Sequence, residues 1–325
     1  MTWLDAYRGL AVVAMIWVHA ANTFLTRDLQ ASAGFGQMTF YHGLIAPAFF
    51  WIAGFVRGVR AQTAPSPGWP AVRRLLGVMA LGYALRFPLL PLLTGTMTPA
   101  DWAEMVKVDV LQTLAATGLS MVAVERWCPR GAAQATAMTV LTAAFVILTG
   151  PASTWATGLP WLDAWLNRGT GSVFSLFPWV GFGLAGWLCG ALAGGTHLRQ
   201  MACCGALLAW VLPHGAWAPE EVLFFLQRLG WVLVGAWAVA AGTGLMQHCL
   251  GGLLLAGRQS LIMYVAHLLM IHAIPLPWQT LDKSLAHQLT LPLTLAAFAV
   301  LLALSWALAW GNEARVRRVA DRSGG

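Results

Sequence analysis

Apolar residues fill the chain in blocks about as long as a membrane-spanning helix. An α-helix needs about 20 apolar residues to cross the hydrocarbon core of a bilayer. Ten blocks of this kind alternate with shorter polar stretches. The pattern predicts an all-α, polytopic integral membrane protein with about ten transmembrane helices in one domain, residues 1–325. The predicted spans are 7–25, 41–60, 75–93, 107–125, 132–150, 173–193, 201–216, 223–246, 252–274 and 289–310.

Two segments differ from a plain crossing helix. The third span carries Pro88 and Pro91, and a proline inside a helix removes a hydrogen bond and clashes with the preceding turn. We therefore expect this span to be kinked or broken near its outer end. The stretch 151–171 holds tryptophans, which are enriched where the membrane meets water, so we expect it to lie in the outer interface.

The composition excludes a water-soluble protein. Of the 325 residues, 58% are hydrophobic and 10% are charged, and the mean hydropathy is +0.67. Soluble domains are about one quarter charged. The net charge of +7 does not indicate a nucleic-acid partner, because the basic residues are spread along the chain at the helix ends. The five cysteines form no CxxC pair and have no metal-type spacing with histidine, so we expect no metal site.

The basic residues also predict an orientation. With a cytoplasmic N-terminus and ten spans, thirteen of the 19 Lys and Arg residues fall on the cytoplasmic side and five on the opposite side. Such an excess is typical of cytoplasmic loops. We therefore expect both termini in the cytoplasm and the protein in a bacterial cytoplasmic membrane.

Few ionisable residues lie inside the predicted spans, and each is expensive there unless it is paired or lines a wet cavity. His19 lies 11 residues beyond Arg8, which corresponds to a depth of about 16 Å in a straight helix. His267 lies 9 residues beyond Arg258, at about 13 Å, and Arg86 reaches about 18 Å. Three spans thus bring two imidazoles and a guanidinium to one level. We expect a shared polar cavity near the midplane.

Structural roles remain open for the same residues. A histidine inside a helix is often a hydrogen-bonded packing residue, and Arg86 could form a salt bridge that fixes a kinked helix. Asp109 and Gln112, spaced i, i+3, share one face near the outer end of the fourth span. A further polar stripe faces protein or water rather than lipid, as a seam between helices or towards a substrate. It consists of Ser260, Tyr264 and His267.

Several motifs resemble a known superfamily. The block Leu4-Asp5-Ala6-Tyr7-Arg8-Gly9-Leu10 is followed by His19, with ten residues between Arg8 and His19. This spacing resembles the first-span signature of the transmembrane acyltransferases. Other blocks resemble the branch that contains heparan-α-glucosaminide N-acetyltransferase and its bacterial acyltransferase-like relatives. They are residues 43–54, 109–112, 177–179 and 257–261, with Tyr264 and His267.

The resemblance implies transfer of an acyl group, usually acetyl, from cytoplasmic acyl-CoA to a hydroxyl or amine of a sugar or lipid beyond the membrane. Its catalytic candidates are His19 as general base, Arg8, Asp5 to orient Arg8, and His267. The candidates for binding acyl-CoA are Arg8, Arg258, Ser260, Tyr264 and Arg86, since arginine binds phosphate bidentately. The candidates for the acceptor are Asp109, Gln112 and His42. The expected partners are acyl-CoA, membrane lipids and a glycan or lipid acceptor.

Two other functions remain compatible with the same cavity. One is a transporter or permease for a small amphipathic solute. The other is an electron-transfer protein in which His19 and His267 hold a haem. A homo-oligomer and the identity of the acceptor also stay open.

Overall fold

The computed structural model of the chain describes residues 1–193, 197–211, 218–245, 250–273 and 280–323. Helices make up 80% of the structure. Within the described ranges no strand forms beyond an isolated bridge between Leu25 and Leu289. The prediction of an all-α protein is therefore confirmed.

The α-helices range from single turns to one of 33 residues. In chain order they are α1 (Thr2–Phe24), α2 (Arg27–Gln30), α3 (Ala33–His42), α4 (Ile45–Ala61), α5 (Trp69–Leu85), α6 (Leu89–Thr94), α7 (Pro99–Val106), α8 (Val110–Trp127), α9 (Ala132–Ile147), α10 (Thr149–Ala152), α11 (Pro160–Leu166), α12 (Leu176–Ala193), α13 (Leu198–Ala206), α14 (Glu220–Leu245), α15 (Gly251–Arg258), α16 (Ser260–His272), α17 (Leu281–Ser284) and α18 (Leu291–Ser323). A short π-helical segment, Leu207–Val211, follows α13.

Fewer helices than expected are long and apolar enough to cross a membrane. The described part of the chain contains five, or six if the bent pair of α15 and α16 counts as one crossing. Helices α9 and α12 are apolar but shorter. The predicted count of about ten spans is thus not confirmed. The five long stretches are Thr2–Phe24, Ala33–Ala61, Pro99–Trp127, Glu220–Thr243 and Leu291–Val319.

The third predicted span shows why apolar blocks and crossing helices differ in number. Helix α5 ends at Leu85, and Arg86 is its C-cap. The chain resumes as the short helix α6 at Leu89, after Pro88. The expected break near the outer end is therefore present, and the block 75–93 is not one continuous helix. A continuous apolar stretch in sequence does not guarantee a continuous helix once prolines interrupt it.

The chain forms two compact units. The first contains Met1–Ile45 and Ala238–Gly325, and the second contains Ala46–Trp237. Each unit is described by itself below.

In the first unit, glycines allow α1 and α15 to pack backbone against backbone. A Cβ atom at Gly9 would lie 2.1 Å from the carbonyl oxygen of Leu253. A Cβ atom at Gly257 would lie 1.8 Å from the carbonyl oxygen of Asp5. The two contacts show that the helices run antiparallel, with the end of α15 beside the start of α1. Small residues at such contacts are typical of helix packing in membranes.

The ninth predicted span is bent rather than straight. Helices α15 and α16 meet at an angle of 80°, with Gln259 between them. The depth of His267 below Arg258 was predicted from a straight helix, and the bend shows that the helix is not straight there. At the bend the side chain of Gln259 contacts α18: its Nε2 donates to Glu313 and its Oε1 accepts from Asn312.

In the second unit, α4 and α12 also pack through glycines. Cβ atoms at Gly54 and Gly58 would lie 1.8 and 2.0 Å from backbone oxygens of α12. Cβ atoms at Gly186 and Gly190 would lie 2.1 and 2.2 Å from backbone oxygens of α4. Both helices therefore carry a Gly-x-x-x-Gly pair at their contact, and the pairing shows that they run parallel. Helix α8 joins this core through Met121 and Val124, which pack with Trp187 of α12.

Candidate functional site

Two histidines from different helices meet inside the first unit. His19 lies on α1, and His267 lies on α16, which returns towards α1 after the bend at Gln259. The centroids of the two imidazole rings are 5.1 Å apart, and the ring planes form an angle of 56°. The predicted proximity of these two residues is therefore present in the structure.

The surroundings of His267 leave one ring nitrogen without a partner. The residue is fully buried, and its Nδ1 lies 2.8 Å from the carbonyl oxygen of Met263. A carbonyl only accepts, so Nδ1 donates the hydrogen and the neutral ring carries its lone pair on Nε2. Nε2 has no hydrogen-bond partner within the described residues. Because buried polar atoms are normally satisfied, this nitrogen is a candidate for interaction with a substrate or with a proton in transit.

His19 and Tyr264 complete this histidine site. His19 is half-buried, so its ring is more accessible than that of His267. The Tyr264 ring meets the His267 ring edge-on, with centroids 5.7 Å apart. Tyr264 and His267 are both buried, as expected for a stripe that faces protein, while Ser260 is half-buried at the start of α16. The site therefore combines one accessible imidazole with one buried imidazole.

The direct contact between the rings bears on the haem hypothesis. A haem iron that both histidines ligate requires the porphyrin plane to lie between the two rings. Rings 5.1 Å apart leave no space for that plane. The geometry disfavours a haem at this position.

The arginines at the start of α1 and at the end of α15 are both paired. Asp5 and Arg8, one helical turn apart, lie 3.8 Å from each other at the nearest charged atoms. Arg258 donates to Glu313 at 3.0 Å, and its side chain is 42% exposed. Because Gly257 abuts Asp5, these pairs lie at the same end of the first unit.

Sequence reasoning missed the network that holds this end together. Glu313 accepts hydrogen bonds from Arg258, Gln259 and Arg317, and Asn312 donates to Gln259. A signal was available, because Glu313 is the first carboxylate after a long apolar helix face. Two of its partners, Arg258 and Gln259, lie more than fifty residues away in sequence, so their pairing with Glu313 could not be derived from spacing.

Arg86 belongs to the second unit, where two carboxylates bind it. Its guanidinium donates to Glu104 at 3.0 Å and to Asp109 at 2.9 Å. The shared level with the two histidines stays a prediction. The structural alternative for Arg86, a salt bridge at a broken helix, describes its observed contacts.

Asp109 and Gln112 also have a local structural role. Asp109 is the N-cap of α8, and the two side chains form a capping box at its first turn. The i, i+3 spacing is the sequence signature of this motif, and it could have been recognised as such. Two donors nevertheless remain buried without a hydrogen-bond partner in the described structure: Arg86 Nε and Gln112 Nε2.

Two further histidines lie at helix ends of the first unit. His42 is half-buried at the end of α3, where its ring meets the Phe35 ring with centroids 5.8 Å apart. His272, at the end of α16, donates to Asp282 at 2.9 Å. Burial raises the pKa of Asp282, but hydrogen bonds from Thr280 and His272 outweigh it and bring the pKa below its ordinary value.

The described residues were also compared with the ligand sets of metal sites. In the part of the chain that the structure describes, no group of three His, Cys, Asp or Glu residues could hold a metal ion.

Comparison with known proteins identifies the family. Residues 1–225 match the family model described as heparan-alpha-glucosaminide N-acetyltransferase, catalytic. No curated protein matches the chain. The matched region includes His19, Arg86 and Asp109 and ends before α15 and α16, which carry Arg258 and His267. Because the match covers more than half of the chain, the protein belongs to the heparan-α-glucosaminide N-acetyltransferase catalytic family.

Proposed function

We propose that the protein is a membrane acetyltransferase that moves acetyl from cytoplasmic acetyl-CoA to a hydroxyl or amine of a sugar or lipid acceptor. The family supports acetyl transfer and the resemblance of the motifs supports a CoA thioester as donor. The observation that carries the proposal is the contact between His19 and His267, 5.1 Å apart, with His267 Nε2 buried and unpartnered. The membrane is the bacterial cytoplasmic membrane, with both termini on the cytoplasmic side.

His19 acts as the general base in this proposal. It takes the proton from the acceptor hydroxyl or amine as the acceptor oxygen or nitrogen attacks the thioester carbonyl carbon. The new C–O or C–N bond forms, the C–S bond breaks, and the CoA thiolate leaves. The imidazolium then returns the proton to the thiolate, which leaves as the thiol. Imidazole suits both transfers because it titrates near physiological pH.

His267 acts as a positioning residue behind His19. Its ring is fixed by the Met263 carbonyl on one side and by the Tyr264 ring on the other. A fixed, buried ring in contact with His19 limits the orientations that the His19 ring can adopt. Holding a catalytic group in its reactive geometry is a large part of the advantage that an enzyme gives a reaction.

The donor binds at the end of the first unit where α1 begins and α15 ends. Arg8 and Arg258 contact the CoA phosphates there, and Ser260 and Tyr264 line the path towards His19. Glu313 competes with phosphate for Arg258, since the two are already 3.0 Å apart.

The acceptor candidates of the second unit are Asp109 and Gln112: Gln112 Nε2 can donate to a hydroxyl or carbonyl oxygen, and Asp109 can accept from a hydroxyl. Arg86 remains a candidate for binding acyl-CoA. Asp109 already accepts from Arg86, so the acceptor contacts a preformed ion pair. His42 is the remaining acceptor candidate, in the first unit.

A measurement of CoA release tests the proposed function. The purified protein, in detergent or nanodiscs, is mixed with acetyl-CoA and a panel of amino sugars and hydroxyl sugars, and free thiol is followed with time. We expect release that depends on the acceptor, with an acetylated product of matching mass. Thiol release at the same rate with and without every acceptor would contradict the proposal.

A further inference from the structure

The second unit contains a cavity whose residues the proposed function does not use. The cavity has a volume of about 420 Å³ and lies where the end of α4, the start of α5 and the far part of α8 meet. Much of its wall is apolar, with Val56, Leu75, Val78 and Met121 among the lining residues. Ligand pockets usually have volumes of about 300–1,000 Å³, so this one can hold a small molecule or part of a larger one.

Three arginines line the cavity, and one of them is held rigidly. Arg57 donates to both carboxylate oxygens of Glu125, at 2.9 and 2.7 Å. Glu125 is only 6% exposed and also accepts from the indole of Trp187 at 2.8 Å. This buried network neutralises Arg57 and fixes its guanidinium in the cavity wall. Arg57 therefore shapes the cavity wall but adds no net charge to it.

The other two arginines supply uncompensated charge. Arg60, at the end of α4, and Arg74, on α5, both line the cavity. Neither forms an ion pair with a carboxylate in the described part of the chain. The loop between them is anchored, because Arg130 donates to the carbonyl oxygen of Ala64 at 2.8 Å. Two positive charges thus stand at an apolar cavity with a fixed rim.

We propose that this cavity binds a phosphate ester that carries an apolar arm. Guanidinium groups bind phosphate oxygens through paired hydrogen bonds, and two unpaired arginines match a phosphate group of charge near −2. The apolar walls accommodate the arm attached to the phosphate. The predicted orientation places this end of the unit in the cytoplasm.

Two kinds of molecule have this chemistry. One is CoA, whose phosphates are joined to the partly apolar pantetheine arm. This source rests on the proposed function for the donor, but it places the phosphates at Arg60 and Arg74 in place of Arg8 and Arg258. The other is an anionic phospholipid such as phosphatidylglycerol, whose headgroup phosphate is joined to acyl chains. The binding chemistry at Arg60 and Arg74 is the same for both.

The test uses the full-length protein in nanodiscs and compares Arg60→Gln/Arg74→Gln with Arg73→Gln. Arg73 is the matched control, because it is exposed, precedes Arg74 on the same helix and does not line the cavity. One arm measures CoA affinity by calorimetry. The second arm measures the melting temperature in nanodiscs with and without phosphatidylglycerol. The single variant Arg74→Gln serves if the double variant does not fold.

We expect the double variant to lose at least about tenfold in CoA affinity, or to lose the stabilisation by phosphatidylglycerol, while Arg73→Gln keeps both. Loss in the first arm identifies the nucleotide as the ligand, and loss in the second identifies the phospholipid. The inference is overturned if neither quantity changes, or if Arg73→Gln loses as much as the double variant. Neither arm requires acetyl transfer. If the protein transfers no acetyl group but the double variant loses the stabilisation by phosphatidylglycerol, the proposed function is contradicted and the inference about the cavity stands.

Discussion

At the scale of single residues, His267 differs from an ordinary packing histidine. Its Nδ1 is used by the Met263 carbonyl, while Nε2 is buried without a partner and the His19 ring lies 5.1 Å away. A residue that only filled space could be replaced by an apolar side chain at less cost. The unpartnered nitrogen and the ring contact are the observations behind the proposal that His267 positions His19.

We expect His267→Ala to lower kcat by about tenfold or more while changing KM for acetyl-CoA little, because the variant loses orientation of the base and no contact to the donor. Steady-state kinetics on the folded variant measure both constants. His197→Ala is the matched control, since His197 is an exposed histidine just before α13. An unchanged kcat, or a change confined to KM, would show that His267 does not position the base.

Glu125 provides a second residue-scale prediction. It is buried between Arg57 and Trp187, so Glu125→Gln leaves the Arg57 charge inside the unit without its partner. Breaking a buried pair in this way costs about 3–5 kcal/mol of unfolding free energy. Glu104→Gln is the control, because that side chain is 48% exposed and exposed pairs contribute about 0–1 kcal/mol. Equal melting temperatures for the two variants would contradict the structural role of Glu125.

At the scale of helices, the break at Gln259 determines the geometry of the histidine site. A straight helix over 252–274 would not carry the contacts of Gln259 to α18, and it would direct α16 along a different line. The apolar pattern predicted a helix here, because α15 and α16 are both apolar and no proline separates them. The residue at the bend, Gln259, is hydrogen-bonded to Asn312 and Glu313, and long-range contacts of that kind leave no periodic signal.

Other helix features could be predicted from local sequence. Pro88 predicted the interruption after α5, since its ring is incompatible with a continuing helix. The i, i+3 spacing of Asp109 and Gln112 is that of the capping box at the start of α8, although we interpreted the two residues as a face that binds substrate. The ion pair between Arg86 and Glu104 could not be predicted, because Glu104 lies on α7 and the chain forms α6 between the two residues.

We expect Gly257→Ala to disrupt the contact between α1 and α15. The new Cβ would lie 1.8 Å from the Asp5 carbonyl oxygen, and such overpacking costs about 1–3 kcal/mol. The melting temperature and the rate of acetyl transfer should both fall, because α1 carries His19. Gly251→Ala is the control on the same helix, since no atom of the described residues lies within 4 Å of its Cβ position. Equal behaviour of the two variants would mean that the close packing at Gly257 is unimportant.

At the scale of the whole molecule, the pattern of apolar residues alone does not determine the number of membrane crossings. Hydropathy detects apolar blocks, but it does not distinguish a long helix from a broken one or from two short ones. Helix α18 shows the opposite error: the predicted span 289–310 stops at the last apolar residues, whereas the helix continues to Ser323. Within the first unit, however, Gly257 abuts Asp5 and Gln259 binds Glu313. The start of α1 and the later part of α18 therefore lie at the same end.

This geometry supports the predicted topology, and a reporter experiment tests it. We expect fusions before Thr2 and after Arg322 both to report the cytoplasm, because the basic residues favour that side. A phosphatase reporter, active only outside the cytoplasm, measures the side of each end. A fusion after Arg322 that is active outside would contradict the topology and the assignment of the donor to this end.

The central claim is that His19 removes the proton from the acceptor, and the rate of acetyl transfer by His19→Ala tests it most directly. Loss of a general base typically lowers the rate by about 10² to 10⁴-fold. We expect a loss in that range, with CoA affinity and melting temperature kept near those of the unchanged protein and His197→Ala fully active. A folded His19→Ala variant that retains more than about a tenth of the original turnover would contradict the claim.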